Sequence, residues 1–215
     1  MKTAFTWDAS RVLNYIESMG DNDTLSFKDI TLKVVTLLMI LSASRVHCIQ
    51  GFSIKAMQKN DNEITFYPTV LLKHSRPHFR GEPITYRAYP ENDKLCVIKA
   101  LSVYLERRSS LTDSDVLLIT HRKPYRPAHH DTITRWLKTI LKLAGIDTSV
   151  FTAHTFRSAS TSYANTAKIP IKDILKQGQW TQESTWTKYY KKEIQYMGQG
   201  TKNYAYEILK EHTKK

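Results

Sequence analysis

The stretch HTFRSASTSYANTAKIPIKDILKQGQWTQESTWTKYY, residues 154–190, decides how this chain is interpreted. It opens with a His-x-x-Arg motif at 154–157, passes through a Gln-Gly-Gln-Trp turn that ends at Trp180, and closes with the pair Tyr189-Tyr190. A lone Arg45 precedes it, directly after a long apolar run. These residue types, in this order, are the groups needed to attack a phosphodiester with a tyrosine, a reaction that requires no metal ligand set.

The bulk composition indicates a folded, basic protein. With 215 residues, a hydrophobic fraction of 41% and 12 tyrosines, the chain is long enough to bury a full core. A net charge of +12 predicts a polyanionic partner, nucleic acid first, with a solvated basic face as the alternative. Cys48 and Cys96 form no disulfide framework, which is typical of a reducing compartment. The longest apolar run, 32–41, is too short to span a bilayer, and no signal peptide or membrane partner is expected.

Hydrophobic periodicity predicts an α+β fold: one mainly helical domain over residues 1–215, with a small antiparallel β-sheet. Ser26 and Asp131 are the expected N-caps of the second helix and of the helix after residue 130. Two more helices follow the His-x-x-Arg motif, then a tyrosine helix. The predicted helices are 7–18, 25–42, 95–107, 131–144 and 203–210, and the predicted strands are 52–57, 63–70, 84–89 and 116–119.

The spacing of His154 and Arg157 places both side chains on one face at a helix N-terminus, where phosphate is favoured. The histidine would relay a proton and the arginine would bind a non-bridging oxygen. For this motif taken alone, a backbone-bonded core histidine with a surface arginine is the better interpretation. Arg45 beyond an apolar helix requires an anion or a carboxylate, so a structural ion pair is its alternative.

Lys73 lies between two predicted strands, in a segment that also contains Arg76, His78 and Arg80. A lysine on such a hairpin can protonate a leaving 5′-oxygen, and its basic neighbours are suited to positioning phosphates. The alternative is a solvated, charged hairpin, which this segment alone favours.

The indole N–H of Trp180 can donate to a phosphoryl oxygen, although core packing is the commoner role of tryptophan. Tyr189 and Tyr190 are about 100° apart on a helix, so only one of them faces a given point. Each of these signals is weak alone, and their combination is what fits a phosphoryl-transfer site. Fixed cations and N–H donors would meet developing charge, and tyrosine would be the covalent nucleophile.

With these motifs, nearly the whole chain resembles the catalytic domain of tyrosine recombinases of the phage integrase type. Within that group it is most similar to the eukaryotic transposon-borne recombinases of the Crypton and Ngaro type. The resemblance is carried by the segments 6–8, 25–46, 72–77, 131–136, 151–164 and 180–190.

The resemblance implies a role for each candidate residue. The expected catalytic set is Arg45, Lys73, His154, Arg157, Trp180 and Tyr190, with Tyr189 as the alternative nucleophile; the expected DNA contacts are Arg76, Arg80, Arg135 and Lys188. Tyr190 stands ten residues after Trp180, the spacing of the transposon branch, whereas Tyr189 has the nine-residue spacing of phage and bacterial members. Cys48 departs from the glutamate that many bacterial members have, and Gly178-Gln179 departs from their usual Gly-His-Ser turn.

The implied reaction is cofactor-free and metal-free cleavage and rejoining of double-stranded DNA through a 3′-phosphotyrosyl intermediate. Self-assembly into a dimer or tetramer on DNA is expected, with residues 203–215 docking on a neighbouring protomer. The N-terminal core-binding domain of such enzymes is expected to be absent. A eukaryotic transposon origin implies a nuclear location; any other origin implies the cytoplasm.

Two competing functions keep the same fold. A type IB topoisomerase uses the same constellation to relax DNA. A non-catalytic DNA-binding remnant of a transposon is the other alternative, and the full set of candidate residues argues against it because remnants commonly lose one or more of them. A magnesium nuclease is disfavoured because no suitable carboxylate cluster stands out. A zinc module is disfavoured because His129-His130 and two scattered cysteines lack ligand spacing.

Overall fold

The computed structural model describes residues 4–69 and 82–195, and within them the chain is mainly helical. The helices are α1 Ala9–Ser18, α2 Phe27–Ser42, α3 Val46–Gln50, α4 Val97–Ser109, α5 His130–Leu143, α6 Thr155–Thr166, α7 Ile171–Gln177 and α8 Glu183–Tyr189. The strands are β1 Phe5–Trp7, β2 Met57–Lys59, β3 Glu63–Phe66, β4 Ile84–Arg87 and β5 Glu193–Gln195. The α+β prediction is therefore confirmed. The predicted helix 203–210 and the segment with Lys73, Arg76 and Arg80 lie outside the described residues.

Helix α2 forms the centre of the core, and it packs against α4, α5 and α6. Ser26 caps it as predicted: the hydroxyl accepts from the Asp29 N–H at 3.1 Å and donates to the Asp29 carboxylate at 2.6 Å. Such a cap stabilises a helix by about 1 kcal/mol. The helix ends at Ser42, and the φ of 50° at the next residue, Ala43, turns the chain toward Arg45. Arg45 therefore lies just beyond the buried end of α2, at the edge of a cavity.

The antiparallel sheet β2-β3-β4 is anchored on α2. In its register Met57 pairs with Phe66, and Phe66 pairs with Ile84. The buried hydroxyl of Tyr86 donates to the Leu38 carbonyl at 2.9 Å, and burial raises the pKa of this tyrosine. The strand predicted at 52–57 was placed too early, since the first strand of the sheet begins at Met57.

A second, parallel pair joins β1 to β5, with Phe5 opposite Glu193 and Trp7 opposite Gln195. Neither strand was predicted, because their pairing partners are far apart in sequence and each strand has only three residues. The first helix therefore starts at Ala9, after an Asp8 cap, rather than at Trp7. The Trp7 indole N–H donates to the Thr155 hydroxyl at 2.8 Å, which attaches β1 to α6.

Three smaller predictions were also wrong. The N-cap position of α5 is His129, whose side chain makes no capping hydrogen bond, and the predicted cap Asp131 lies in the first turn instead. Helix α4 begins at Val97 rather than Leu95. Residues 116–119 form two isolated bridges, Ser53 to Val116 and Ile119 to Pro127, instead of a strand. Across residues 4–69 and 82–195, none of the helices combines the length and apolar character needed to cross a membrane.

Candidate active site

The His-x-x-Arg motif lies at the start of α6 and lines a cavity of about 280 Å³. The ends of four elements meet there: the C-terminus of α2 and the N-termini of α3, α5 and α6. The titratable lining side chains are Arg45, His47, His130, His154 and Arg157, and no carboxylate is among the described lining residues. Its two arginines therefore give the cavity the positive charge that binding an anion requires.

Arg157 is the most buried of these groups, with 4% of its surface exposed. One terminal nitrogen donates to the Ala43 carbonyl at 2.7 Å, and the other donates to the Gly178 carbonyl. Burial, reinforced by the charge of Arg45, lowers the pKa of Arg157 to about 10, while the Tyr190 phenol opposes this shift. The guanidinium is therefore still charged at neutral pH.

Two aromatic rings contact this guanidinium. The Arg157 Cζ lies 3.9 Å from the Trp180 ring centroid and 5.1 Å from that of Tyr190, and the two rings are 4.8 Å apart. The buried Nε of Arg157 and Nε1 of Trp180 have no hydrogen-bond partner among the described residues.

The turn before α8 places the Trp180 ring directly over Gly178. A Cβ on this glycine would lie 1.8 Å from Cζ3 of the indole, far inside van der Waals contact. Gln179 adopts a φ of 54°, and the Trp180 N–H returns to the Leu175 carbonyl at 2.9 Å. The Gln-Gly-Gln-Trp sequence is therefore the local reason that the indole reaches Arg157.

The two tyrosines occupy different environments. Tyr190 follows the last residue of α8, is half-buried, and packs against Trp180 and Arg157. Tyr189 is 43% exposed, and the Lys188 ammonium lies 5.4 Å from its ring centroid. The structure thus brings Tyr190 into the cluster with Arg157 and Trp180.

Arg45 precedes the first residue of α3 and is half-buried at the cavity. Its guanidinium makes no ion pair with a carboxylate in the described part of the chain, so the alternative of a structural ion pair is not seen there. His154 also lines the cavity and is exposed. Arg135 and Lys188 are exposed on α5 and α8, and neither is among the residues that line the cavity.

Sequence reasoning did not assign two imidazoles of this cavity, His47 and His130. The Nδ1 of His130 lies 3.3 Å from the Asp131 carboxylate. Neither histidine belongs to a recognisable motif, and only tertiary packing of α3 and α5 brings them to the cavity. Within the described residues, no group of three or more His, Cys, Asp or Glu side chains is arranged to hold a metal ion.

A family model described as the phage integrase family matches residues 9–195, and the chain belongs to this family. No curated protein matches the chain in sequence.

Solved structures have the same fold. The XerH site-specific recombinase, in a post-cleavage complex with palindromic difH substrate, matches with a TM-score of 0.65 at 12% identity, over 86% of this chain and 49% of that one. The XerA recombinase matches with a TM-score of 0.65 at 18% identity, over 96% of this chain and 64% of that one. A lambda integrase dimer bound to a COC′ core site matches with a TM-score of 0.54 at 14% identity, over 86% of this chain and 47% of that one. The chain thus spans about half to two thirds of the length of these recombinases.

Proposed function

We propose that this protein is a site-specific DNA recombinase that cuts and rejoins DNA through a 3′-phosphotyrosyl intermediate. The observation that carries the proposal is the contact of the Tyr190 ring with both Arg157 and Trp180, beside a cavity with no carboxylate among its described lining residues. Membership of the phage integrase family supports it. The XerH structure, solved as a post-cleavage complex with its DNA substrate, has the same fold.

In this proposal the phosphate is bound by fixed positive groups. Arg45 and Arg157 contact the non-bridging oxygens, and the Trp180 indole N–H is a third donor. Because the Ala43 and Gly178 carbonyls hold the Arg157 guanidinium in place before DNA binds, it stabilises the charge that develops on the pentavalent phosphorus without further reorganisation. A pKa of about 10 keeps Arg157 cationic at the pH of the reaction.

The chemistry is an exchange of phosphoester bonds. The Tyr190 oxygen forms a bond to phosphorus as the bond to the 5′-oxygen breaks, and the 3′-phosphate stays on the protein. His154 takes the phenolic proton, and Lys73 donates a proton to the departing 5′-oxygen. Attack by the 5′-hydroxyl of another strand reverses these steps and joins new partners. Tyr190 rather than Tyr189 is the proposed nucleophile because its ring contacts Arg157 and Trp180.

We also propose the biological setting from the sequence resemblance. The segments 72–77, 131–136 and 180–190 are similar to Crypton and Ngaro recombinases, so the protein is proposed to act for a transposable element in the nucleus. Double-stranded DNA is the proposed partner, with assembly into a dimer or tetramer on it. The lambda integrase solved as a dimer on DNA supports this assembly, and Arg76, Arg80, Arg135 and Lys188 are the proposed backbone contacts.

Trapping on nicked suicide DNA tests the proposal. A pool of nicked duplexes with randomised sites is incubated with wild type, Tyr190→Phe and Tyr189→Phe, and denaturing gels report covalent adducts. We expect an adduct with wild type and Tyr189→Phe, and none with Tyr190→Phe. DNA binding without any adduct would support a DNA-binding remnant. Relaxation of a plasmid that lacks any selected site would support a topoisomerase.

A further inference from the structure

One buried hydroxyl of α6 bonds to the backbone on both sides of Lys191, the residue directly after Tyr190. The Ser162 hydroxyl donates to the Tyr190 carbonyl at 3.1 Å and accepts from the Lys192 N–H at 2.9 Å. Ser162 is only 2% exposed. This side chain therefore bridges the bend between the end of α8 and the start of β5.

The bend has a particular need for such a bridge. The last carbonyls of a helix have no partner within the helix, and a buried unpaired carbonyl is costly. The N–H groups of Tyr190 and Lys191 both return to the Trp186 carbonyl, at 2.8 and 3.0 Å, so the chain turns sharply here. The Ser162 hydroxyl bonds to the Tyr190 carbonyl, which this turn leaves without a helical partner, and to the N–H of Lys192, the residue before β5.

The same helix carries both Arg157 and Ser162, five residues apart on α6. The guanidinium proposed to bind phosphate and the hydroxyl that holds the Tyr190 backbone thus belong to one rigid element. Strand β1 is attached to this helix through the Trp7–Thr155 hydrogen bond, and it pairs with β5. The backbone after Tyr190 is therefore fixed relative to Arg157 from two sides.

We propose that Ser162 is a positioning residue for the Tyr190 nucleophile. This role rests on the proposed function: Ser162 acts through Tyr190 and does not touch DNA. Without the hydroxyl, the bend loses two hydrogen bonds and the phenol moves relative to the phosphate. A misplacement of about 1 Å lowers rates by up to about 100-fold. Since the side chain is buried, DNA affinity stays unchanged.

Single-turnover cleavage of a saturating suicide substrate tests this role with three variants. Ser162→Ala is expected to slow adduct formation by about 10- to 100-fold, with the DNA dissociation constant within about 2-fold of wild type. Ser162→Thr keeps the hydroxyl and is expected to restore most of the rate. Ser158→Ala is the matched control, because it also removes a buried α6 hydroxyl, one that contacts Thr6 and the Thr155 carbonyl instead.

Three outcomes would overturn the inference: a wild-type rate in Ser162→Ala, an equal loss in Ser158→Ala, or a threonine variant as slow as alanine. Amide exchange gives a readout without DNA, since the Lys192 N–H is expected to exchange faster in Ser162→Ala and unchanged in Ser158→Ala. If wild type forms no adduct, the proposed function fails. If wild type forms an adduct and Ser162→Ala matches it, only the positioning role fails.

Discussion

Replacing Gly178 by alanine tests whether the Trp180 ring has to lie where the structure places it. The added Cβ would lie 1.8, 2.2 and 2.6 Å from three atoms of the indole. Carbon atoms in contact are about 3.5 Å apart, so the ring has to retreat by about 1.7 Å. Arg157 and Tyr190 both contact this ring, and the displacement therefore disturbs the whole cluster.

The stability effect of Gly178→Ala has two opposing parts. Alanine restricts the unfolded chain, which stabilises the protein by about 0.4–1 kcal/mol where the backbone is compatible. The φ of −83° at this glycine is compatible with alanine. Overpacking costs about 1–3 kcal/mol, so overpacking prevails and the free energy of unfolding falls. Cleavage is expected to fall by about 100-fold, because about 1 Å of misplacement already has that effect.

The assay is a double-mutant cycle with Trp180→Ala, measured by urea unfolding and by single-turnover cleavage. Without the indole the clash disappears. The effect of Gly178→Ala on the free energy of unfolding is therefore expected to change sign, so that the substitution stabilises the Trp180→Ala protein. An equal stability loss in both backgrounds would refute the reasoning, because the clash would then not be with Trp180. A Gly178→Ala protein that cleaves at the wild-type rate would refute it as well.

Three further predictions concern other parts of the chain. Tyr86→Phe is expected to lower the free energy of unfolding by about 1 kcal/mol in urea titration, because the buried hydroxyl donates to Leu38; no loss would contradict this. Burial, with the charges of Arg122 and Lys28, lowers the pKa of His121, so its stabilising contribution is complete above pH 6.5 and is lost as pH falls below that. His121→Gln is therefore expected to lose less stability between pH 7.5 and 5 than wild type, and equal losses would refute this. Deletion of residues 203–215 is expected to weaken assembly on DNA in gel-shift assays, and unchanged assembly would refute docking in trans.

Local patterns were sufficient to predict much of this fold. Ser26 with Asp29, followed by an apolar run, predicts the start of α2, and the structure confirms it. The pair β1–β5 was missed because two three-residue strands joined across the whole chain leave no local pattern. Parallel pairing of this kind depends on partners rather than on propensity.

The candidate site was predictable as a set of residue types but not as an arrangement. The order of Arg45, His154, Arg157 and Trp180 identifies the groups, while their burial and backbone contacts arise from tertiary packing. The choice between Tyr189 and Tyr190 rested on spacing alone, and the structure adds that the Tyr190 ring contacts Arg157. No sequence signal indicates that the Gly178 carbonyl accepts from Arg157.

Peptide mass spectrometry of the trapped protein–DNA adduct tests the central claim most directly. The adduct is digested with a nuclease and a protease, and the residue that retains a nucleotide is identified by fragmentation. The account predicts a nucleotide joined through its 3′-phosphate to the oxygen of Tyr190. A nucleotide on Tyr189 or another residue, a 5′-phosphate linkage, or no adduct from DNA that the protein binds would contradict it.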